Sequence, residues 1–443
     1  MTSKRSITSQ SRPRRRWVSF AIAGKVLLVS ALAFVTICEV RTNKLEALFF
    51  SRYVQDITWT LQPGASDEIA FPTHGPFDIT QGYTLLPVFQ ERLVENGYTI
   101  DKQARQSAKS RSLIEHGIAI PYVKTLSTGL AITDQHGGQI FQASLHAQRF
   151  SSFEAIPPLL IQLLLFRENR ELFDAERPFL NPAVEWDRFA LACLTSLGEQ
   201  LCGLSEGVGG STLATQIVKF RHSDEGRTKE PADKIKQMIG ASLWSYRQGP
   251  NTMAVRKDIV RDYLNEMPLG AAPGYGAING LGTGMWSWFG KDLRQVAADF
   301  ALDESKPDDR QKKAATVKEV LALIISTQRP GTYLAGDLKI LEAKVNAYLA
   351  GLAKAGIITP SLYATAVRIP LQFGQGAPLA PPRSHMERKG TDAIRTRLMD
   401  MLGVETLYEL DRLDLTVGTT LDQVSQKNVN SVLHSLYNQQ FLS

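Results

Sequence analysis

The chain is poor in cysteine, with Cys38, Cys193 and Cys202 as the three in 443 residues. That excludes a disulfide-stapled scaffold. Cys193 and Cys202 could bridge in an oxidising compartment or stay as buried thiols. None of the three has the histidine or cysteine neighbours of a zinc site, so no metal ligand is assigned. Acidic residues are missing from residues 1–16, which hold Lys4, Arg5, Arg12, Arg14, Arg15 and Arg16. These six equal the whole formal charge of +6, so the remainder is balanced. A nucleic-acid protein carries its basic excess on a folded face, and that class is excluded. Several catalytic signatures are also missing. Gly280-Leu281-Gly282-Thr283-Gly284 lacks dinucleotide spacing, and Gly290-Lys291 lacks the spacing and hydroxyl of a phosphate loop. There is no nucleophile elbow and no His-Glu-x-x-His.

Long apolar runs are scarce too. Trp17–Cys38, 22 residues broken only by Lys25, is long enough to cross a hydrocarbon core. With basic residues on its N-terminal side alone, it predicts a cytoplasmic tail over 1–16, a membrane anchor over 17–38, and everything after residue 40 outside. Lys25 would have to snorkel or pair. Ser30-Ala31-Leu32-Ala33 keeps a cleaved signal peptide as the alternative.

Beyond the anchor, residues 41–127 read as a small α+β accessory region. Leu85–Val94 has helical periodicity closed by Asn96-Gly97, and residues 102–112 read as a polar surface segment. Thr128–Thr133 and Gln139–Ser144 are strand-like runs joined by His136-Gly137-Gly138, a hairpin signal. From Pro157-Pro158 to about residue 350 the periodicity is helical. Leu159–Phe166, Lys234–Trp244, Val255–Asn265 and Val317–Gln328 are the expected helices, and the charged run 302–316 is expected to be a mobile insertion. Residues 371–443 read as a Pro-containing linker followed by strand-like Leu413–Leu421, the start of a further region.

Within the helical part, residues 207–219 carry the chemistry. Two glycines lead to Ser211, a good N-cap, and Thr212, Gln216 and Lys219 fall at i, i+4 and i+7 on one predicted helix face. A helix start with a lysine two turns on suits a phosphate. Lys234 and Gln237, at i and i+3 of another helix, could add to it. Glu168 ends a strongly apolar helix, where burial favours a general base. Arg261–Glu266 reads as a helix end, where Asn265 caps or orders the cleft.

The order of these pieces resembles the peptidoglycan glycosyltransferases, glycosyltransferase family 51, over roughly 128–370. Gly210-Ser211-Thr212-Leu213-Ala214-Thr215-Gln216-Ile217-Val218-Lys219 is similar to the family's Gly-Ser-Thr-x-x-x-Gln-x-x-Lys helix. Glu168-Asn169-Arg170, Lys234-Ile235-Lys236-Gln237, and Arg256–Glu266 with Gly270 and Gly274-Tyr275-Gly276 resemble its other motifs. Thr419–Asp422 resembles the linker to a transpeptidase domain.

The resemblance implies a mainly α, lysozyme-like glycosyltransferase domain behind one N-terminal transmembrane helix, in the bacterial inner membrane with most of the chain periplasmic. It implies polymerisation of lipid II onto a growing glycan strand. Glu168 would be the general base, Gln237 would stand at the second catalytic position, and Ser211, Thr212, Gln216, Lys219, Lys234 and Asn265 would bind substrate. A divalent cation, Mg²⁺ or Mn²⁺, could help neutralise the pyrophosphate, and cell-wall synthesis proteins could dock on 41–127. The chain departs from the family at Asn169, Leu172, Phe220, Asp233 and Gln237, where the family has its second glutamate, which implies reduced activity. Two other classes compete: a lipid II-binding or scaffold protein, and a lysozyme-like glycosidase with Glu168 as acid.

Overall fold

The structure, a computed structural model, describes residues 14–120, 129–143, 148–186, 211–272, 275–374 and 385–437. Cys193 and Cys202 lie outside the described residues, and Cys38 is a free thiol. Helix α1 (Arg14–Thr42) stops at Asn43, whose φ of 51° turns the chain into α2 (Lys44–Val54). The Glu39 carboxylate accepts from the amides of Leu45 and Glu46 at 2.9 and 2.7 Å, satisfying the open N–H groups that start α2. Leu27 and Phe34 of α1 are 71% and 68% exposed. Among the described residues no single helix is long and apolar enough to cross a membrane. Lys25–Thr42 and Lys44–Val54 together have the length and composition, bent by 67° at Asn43. The expected anchor segment 17–38 lies within α1, which the bend at Asn43 joins to α2. Glu46 docks the bend on the main body, accepting from Asn181 at 2.5 Å and from Trp186 Nε1 at 3.1 Å.

The accessory region pairs β1 (Trp59–Pro63) antiparallel with β2 (Lys102–Gln106), Trp59 opposite Gln106. Between them run α3 (Pro76–Thr80) and α4 (Leu86–Glu95), the latter closed at Asn96-Gly97 as the periodicity predicts. Residues 102–112 lie at the surface apart from the buried Gln103 and Ser110. They form β2 and the start of α5 (Ala108–Glu115), capped by Ser107. Strands β3 (Ala131–Thr133) and β4 (Gln139–Gln142) make the expected hairpin. A later strand, β7 (Thr416–Gly418), pairs parallel with β3, giving the order β4-β3-β7.

The main core is helical and runs from α6 (Pro158–Glu168) through α7 (Leu213–His222), α8 (Pro231–Ser245) and α9 (Met253–Glu266). The hairpin β5 (Pro268–Ala272) and β6 (Gly276–Asn279) follows. Helices α10 (Leu281–Phe289), α11 (Leu293–Phe300) and α12 (Pro307–Ser326) come next, then α13 (Pro330–Leu334), α14 (Leu338–Lys354) and α15 (Pro360–Arg368). Helix α12 carries Val317, Val320, Leu321 and Ile324, all fully buried, and packs against α11, α14 and α15. Most of the charged run expected to be mobile is the first half of this helix. Lys313 bridges Glu304 at 2.9 Å, and Glu304 accepts from Thr359 at 2.6 Å, so its charges are spent on holding α15. The Gly280–Gly284 repeat is a packing device. Gly280 has φ of 84°, and a side chain there would begin 2.3 Å from the Asn265 carbonyl oxygen.

A second, smaller core joins distant parts of the chain. Phe89 of α4 and Leu130 and Ile132 around β3 pack with Leu398 and Leu402 of α16 (His385–Leu402) and Leu410 of α17 (Leu407–Leu410). Residues beyond 385 therefore fold back onto the accessory region, and α18 (Gln423–Tyr437) follows.

Candidate active site

Glu168 is the last residue of α6, a helix buried along Leu160, Leu163, Leu164 and Leu165. Its side chain is 11% exposed. One carboxylate oxygen accepts from Gln216 Nε2 at 2.8 Å and the other faces Arg167 Nε at 3.1 Å. Arg167 is itself fixed by the Ile324 carbonyl of α12 at 3.1 Å. Behind Gln216, Tyr263 OH donates to its carbonyl oxygen at 3.3 Å, so the amide cannot flip without losing both partners. Burial pushes the Tyr263 hydroxyl pKa well up, with the nearby Glu168 charge second. It stays a donor at any physiological pH.

Helix α7 begins one residue later than expected. Thr212, not Ser211, is the N-cap. Its Oγ1 accepts from the Thr215 amide at 3.3 Å, while Thr215 Oγ1 accepts from the Thr212 amide at 2.9 Å. Thr212 is 3% exposed and is bonded to Ala183 O at 3.2 Å. It shapes the helix start and does not face the cleft with Gln216 and Lys219. Ser211, freed from capping, accepts from Lys234 Nζ of α8 at 2.6 Å.

Lys219 and Lys234 come together as cations. Burial lowers the Lys219 pKa, and the nearby Glu168 carboxylate opposes the shift. Burial, reinforced by the Lys219 charge, takes Lys234 down to about 8. Two half-buried ammonium groups that feel each other's charge are costly without an anion beside them. The arrangement is a carboxylate beside a dicationic, hydroxyl-bearing pocket.

The other two expected residues are elsewhere. Asn265 is 3% exposed, with Oδ1 accepting from the Phe150 amide at 2.9 Å and Nδ2 donating to the Phe150 carbonyl at 3.0 Å. It clamps the segment before α6, which takes up one of its two N–H donors and one of its two acceptor positions. Gln237, also 3% exposed, accepts from Thr228 Oγ1 at 3.1 Å and donates to Ser223 Oγ at 2.9 Å. It ties the connection between α7 and α8. Arg167 and Tyr263 are the partners that sequence reasoning missed. Arg167 stands next to Glu168, and Tyr263, within the stretch Arg261–Glu266, is both a fully buried core residue and a partner of Gln216.

A resident divalent cation does not fit this donor set. Glu168 is surrounded by Arg167, Lys219 and the Gln216 amide, and Gln237 is bonded to hydroxyls. Among the described residues no cluster of three His, Cys, Asp or Glu could hold a metal.

Residues 136–353 match the family model described as Transglycosylase, and that span begins in the β3–β4 turn and ends within α14. The chain carries a domain of the transglycosylase family. This is glycosyltransferase family 51, the domain of class A penicillin-binding proteins, and its general activity is peptidoglycan glycosyl transfer. None of the curated proteins compared with the chain matches it. In the transglycosylase domain, α6 presents Glu168, α7 presents Gln216 and Lys219, and α8 presents Lys234.

Proposed function

We propose that this chain is a membrane-anchored peptidoglycan glycosyltransferase that polymerises lipid II. The observation that carries the reading is the geometry of α6 and α7. Gln216 holds the Glu168 carboxylate, while Lys219, one turn on from Gln216, is near enough for its charge to act on Lys234. In the reaction, Glu168 takes the proton from the acceptor sugar's 4-hydroxyl. That oxygen attacks the donor's anomeric carbon, and the bond to the lipid pyrophosphate breaks with inversion. Lys219, Lys234 and the Ser211 hydroxyl receive the departing negative charge, which grows in the transition state. Arg167 and Gln216 orient the base. The glycosidase reading is disfavoured because hydrolysis of a glycan strand leaves no phosphate for two buried lysines to meet.

Anchoring in the bacterial inner membrane, with most of the chain periplasmic, is supported by the basic residues 4–16 and by the exposed apolar residues Val26–Ile37 of α1. A reporter fused after residue 60 should be active only outside the cytoplasm; activity of a cytoplasmic reporter there would overturn the topology.

A lipid II-binding scaffold is the second reading, favoured by one observation. Gln237 stands where the family has a glutamate, and it is buried against Ser223 and Thr228. The deciding experiment is lipid II polymerisation by the purified full chain. Wild type should make glycan strands, and Glu168→Gln should lose at least about 10²-fold in rate while binding lipid II. If wild type binds lipid II and is as inert as Glu168→Gln, the scaffold reading holds instead.

A further inference from the structure

A cavity of about 330 Å³ lies in the accessory region, touching His222 at the end of α7 and not lined by Glu168. Its walls are apolar, with Trp59, Ile69, Phe71, Leu86, Ile114 and Ile118 among them. The polar side chains that border it already have partners. Tyr83 OH donates to Asp414 at 2.6 Å. The Gln106 amide pairs with both backbone groups of Ala70, at 2.8 and 3.2 Å. Asp78 Oδ2 meets His222 Nδ1 at 2.8 Å. A polar ligand would lose its water here for little return, whereas a hydrocarbon chain loses nothing. The volume falls at the lower end of the range for small-ligand sites.

Charge marks one edge. Gly117 lines the cavity with φ of 70°, and the exposed Lys236 places Nζ 3.4 Å from where a side chain on Gly117 would begin. His74 borders the same edge. The transglycosylase helices reach the cavity at His222. His222 is the last residue of α7, the helix of Gln216 and Lys219. The segment Gly117–Ile120 crosses α8, with the Ala119 carbonyl 3.0 Å from the position of a side chain at Gly240. The cavity thus lies in the accessory region and borders the C-terminal end of the helix that carries Lys219.

We propose that this cavity binds the alkyl chain of an anionic amphiphile, with the head group at Lys236. The same chemistry is offered by a free fatty acid and by an acidic membrane phospholipid, and the test separates them. The full chain is placed in phosphatidylcholine nanodiscs, and Trp59 fluorescence is isolated by subtracting the Trp59→Phe signal. Bromolaurate should quench Trp59 saturably. Ala104→Phe, which fills the cavity from β2, should weaken that binding at least tenfold, and Ile118→Phe should do the same should Ala104→Phe fail to fold. Lys236→Gln should weaken bromolaurate about threefold, the scale of one exposed ion pair, and leave the uncharged bromododecanol unchanged. In the second arm, brominated phosphatidylglycerol replaces part of the nanodisc lipid without fatty acid. Quenching there that the filling variants remove makes the membrane the source; quenching by bromolaurate alone makes it a free amphiphile. Unchanged quenching in both filling variants, or none in either arm, overturns the site. Equal affinity of Lys236→Gln and wild type for bromolaurate overturns the head-group assignment. The readout is binding alone, so it stands apart from whether lipid II is turned over.

Discussion

The lowered pKa of Lys234 makes a quantitative prediction about how the site holds its substrate. At about 8, the ammonium is roughly nine-tenths charged at pH 7 and roughly one-tenth charged at pH 9. The pyrophosphate of lipid II is a diester and keeps its full charge across that range, so any change belongs to the protein. Affinity for lipid II should therefore fall about tenfold between pH 7 and pH 9. Lys234→Arg should flatten most of this dependence, because a guanidinium stays protonated. The assay is equilibrium binding of lipid II in nanodiscs, in a Glu168→Gln background that stops turnover. The free protein should show the opposite trend in stability. The folded pKa lies below the ordinary 10.5, so the unfolded chain binds the extra proton between about pH 8 and 10.5. Stability contributed by Lys234 consequently rises with pH across that window. A wild-type affinity that is the same at pH 7 and pH 9 would refute the reasoning and remove Lys234 from the pyrophosphate site.

Three further outcomes are expected. Asn265→Ala should cost about 2–4 kcal/mol in denaturant unfolding, because both backbone groups of Phe150 are left unpaired in a buried place. Gln237→Ala should cost less, about 1–2 kcal/mol, since its partners Ser223 and Thr228 can reach water; a loss of polymerisation with stability intact would return Gln237 to a catalytic role. Tyr348→Phe should leave the melting temperature unchanged or raise it. The Tyr348 hydroxyl is buried, lacks a hydrogen-bond partner among the described residues, and sits on a ring packed edge-on against Phe166 at 5.5 Å.

The parts legible in the sequence are those governed by local rules. The α6 start at Pro157-Pro158, the Asn96-Gly97 stop and the hairpin around His136-Gly137-Gly138 follow from backbone chemistry that neighbours cannot override. Glu168, Gln216, Lys219 and Lys234 were legible as a motif, and the structure brings them together. What the sequence could not show is where competition between similar groups is decided. Ser211 and Thr212 are both good caps. Thr212 wins because Thr215 can reciprocate and Ala183 accepts its hydroxyl, which leaves Ser211 for Lys234. Asn265 and Gln237 look like site residues by position, but Phe150 in one case and Ser223 with Thr228 in the other take up their amides. The run 302–316 was misread because charge density alone does not distinguish a loop from a helix whose charges have partners such as Glu304 and Thr359.

The parallel pairing of β3 with β7 has a consequence for how the chain is made. Thr133 O accepts from both the amide and the hydroxyl of Thr419, 286 residues later. At ordinary synthesis rates of about 5–20 residues per second, roughly a quarter of a minute to a minute passes before that partner leaves the ribosome. Throughout that interval the β3–β4 hairpin has an unpaired strand edge, and half of the smaller core around Leu130 and Ile132 is missing. An open edge of this kind templates pairing with other chains. Newly made protein should thus be most vulnerable to aggregation and proteolysis after the helical core has closed but before residue 419 emerges. Ribosome-bound chains stalled at residue 400 should be cut near β3 by protease, whereas released chains of all 443 residues should be protected there.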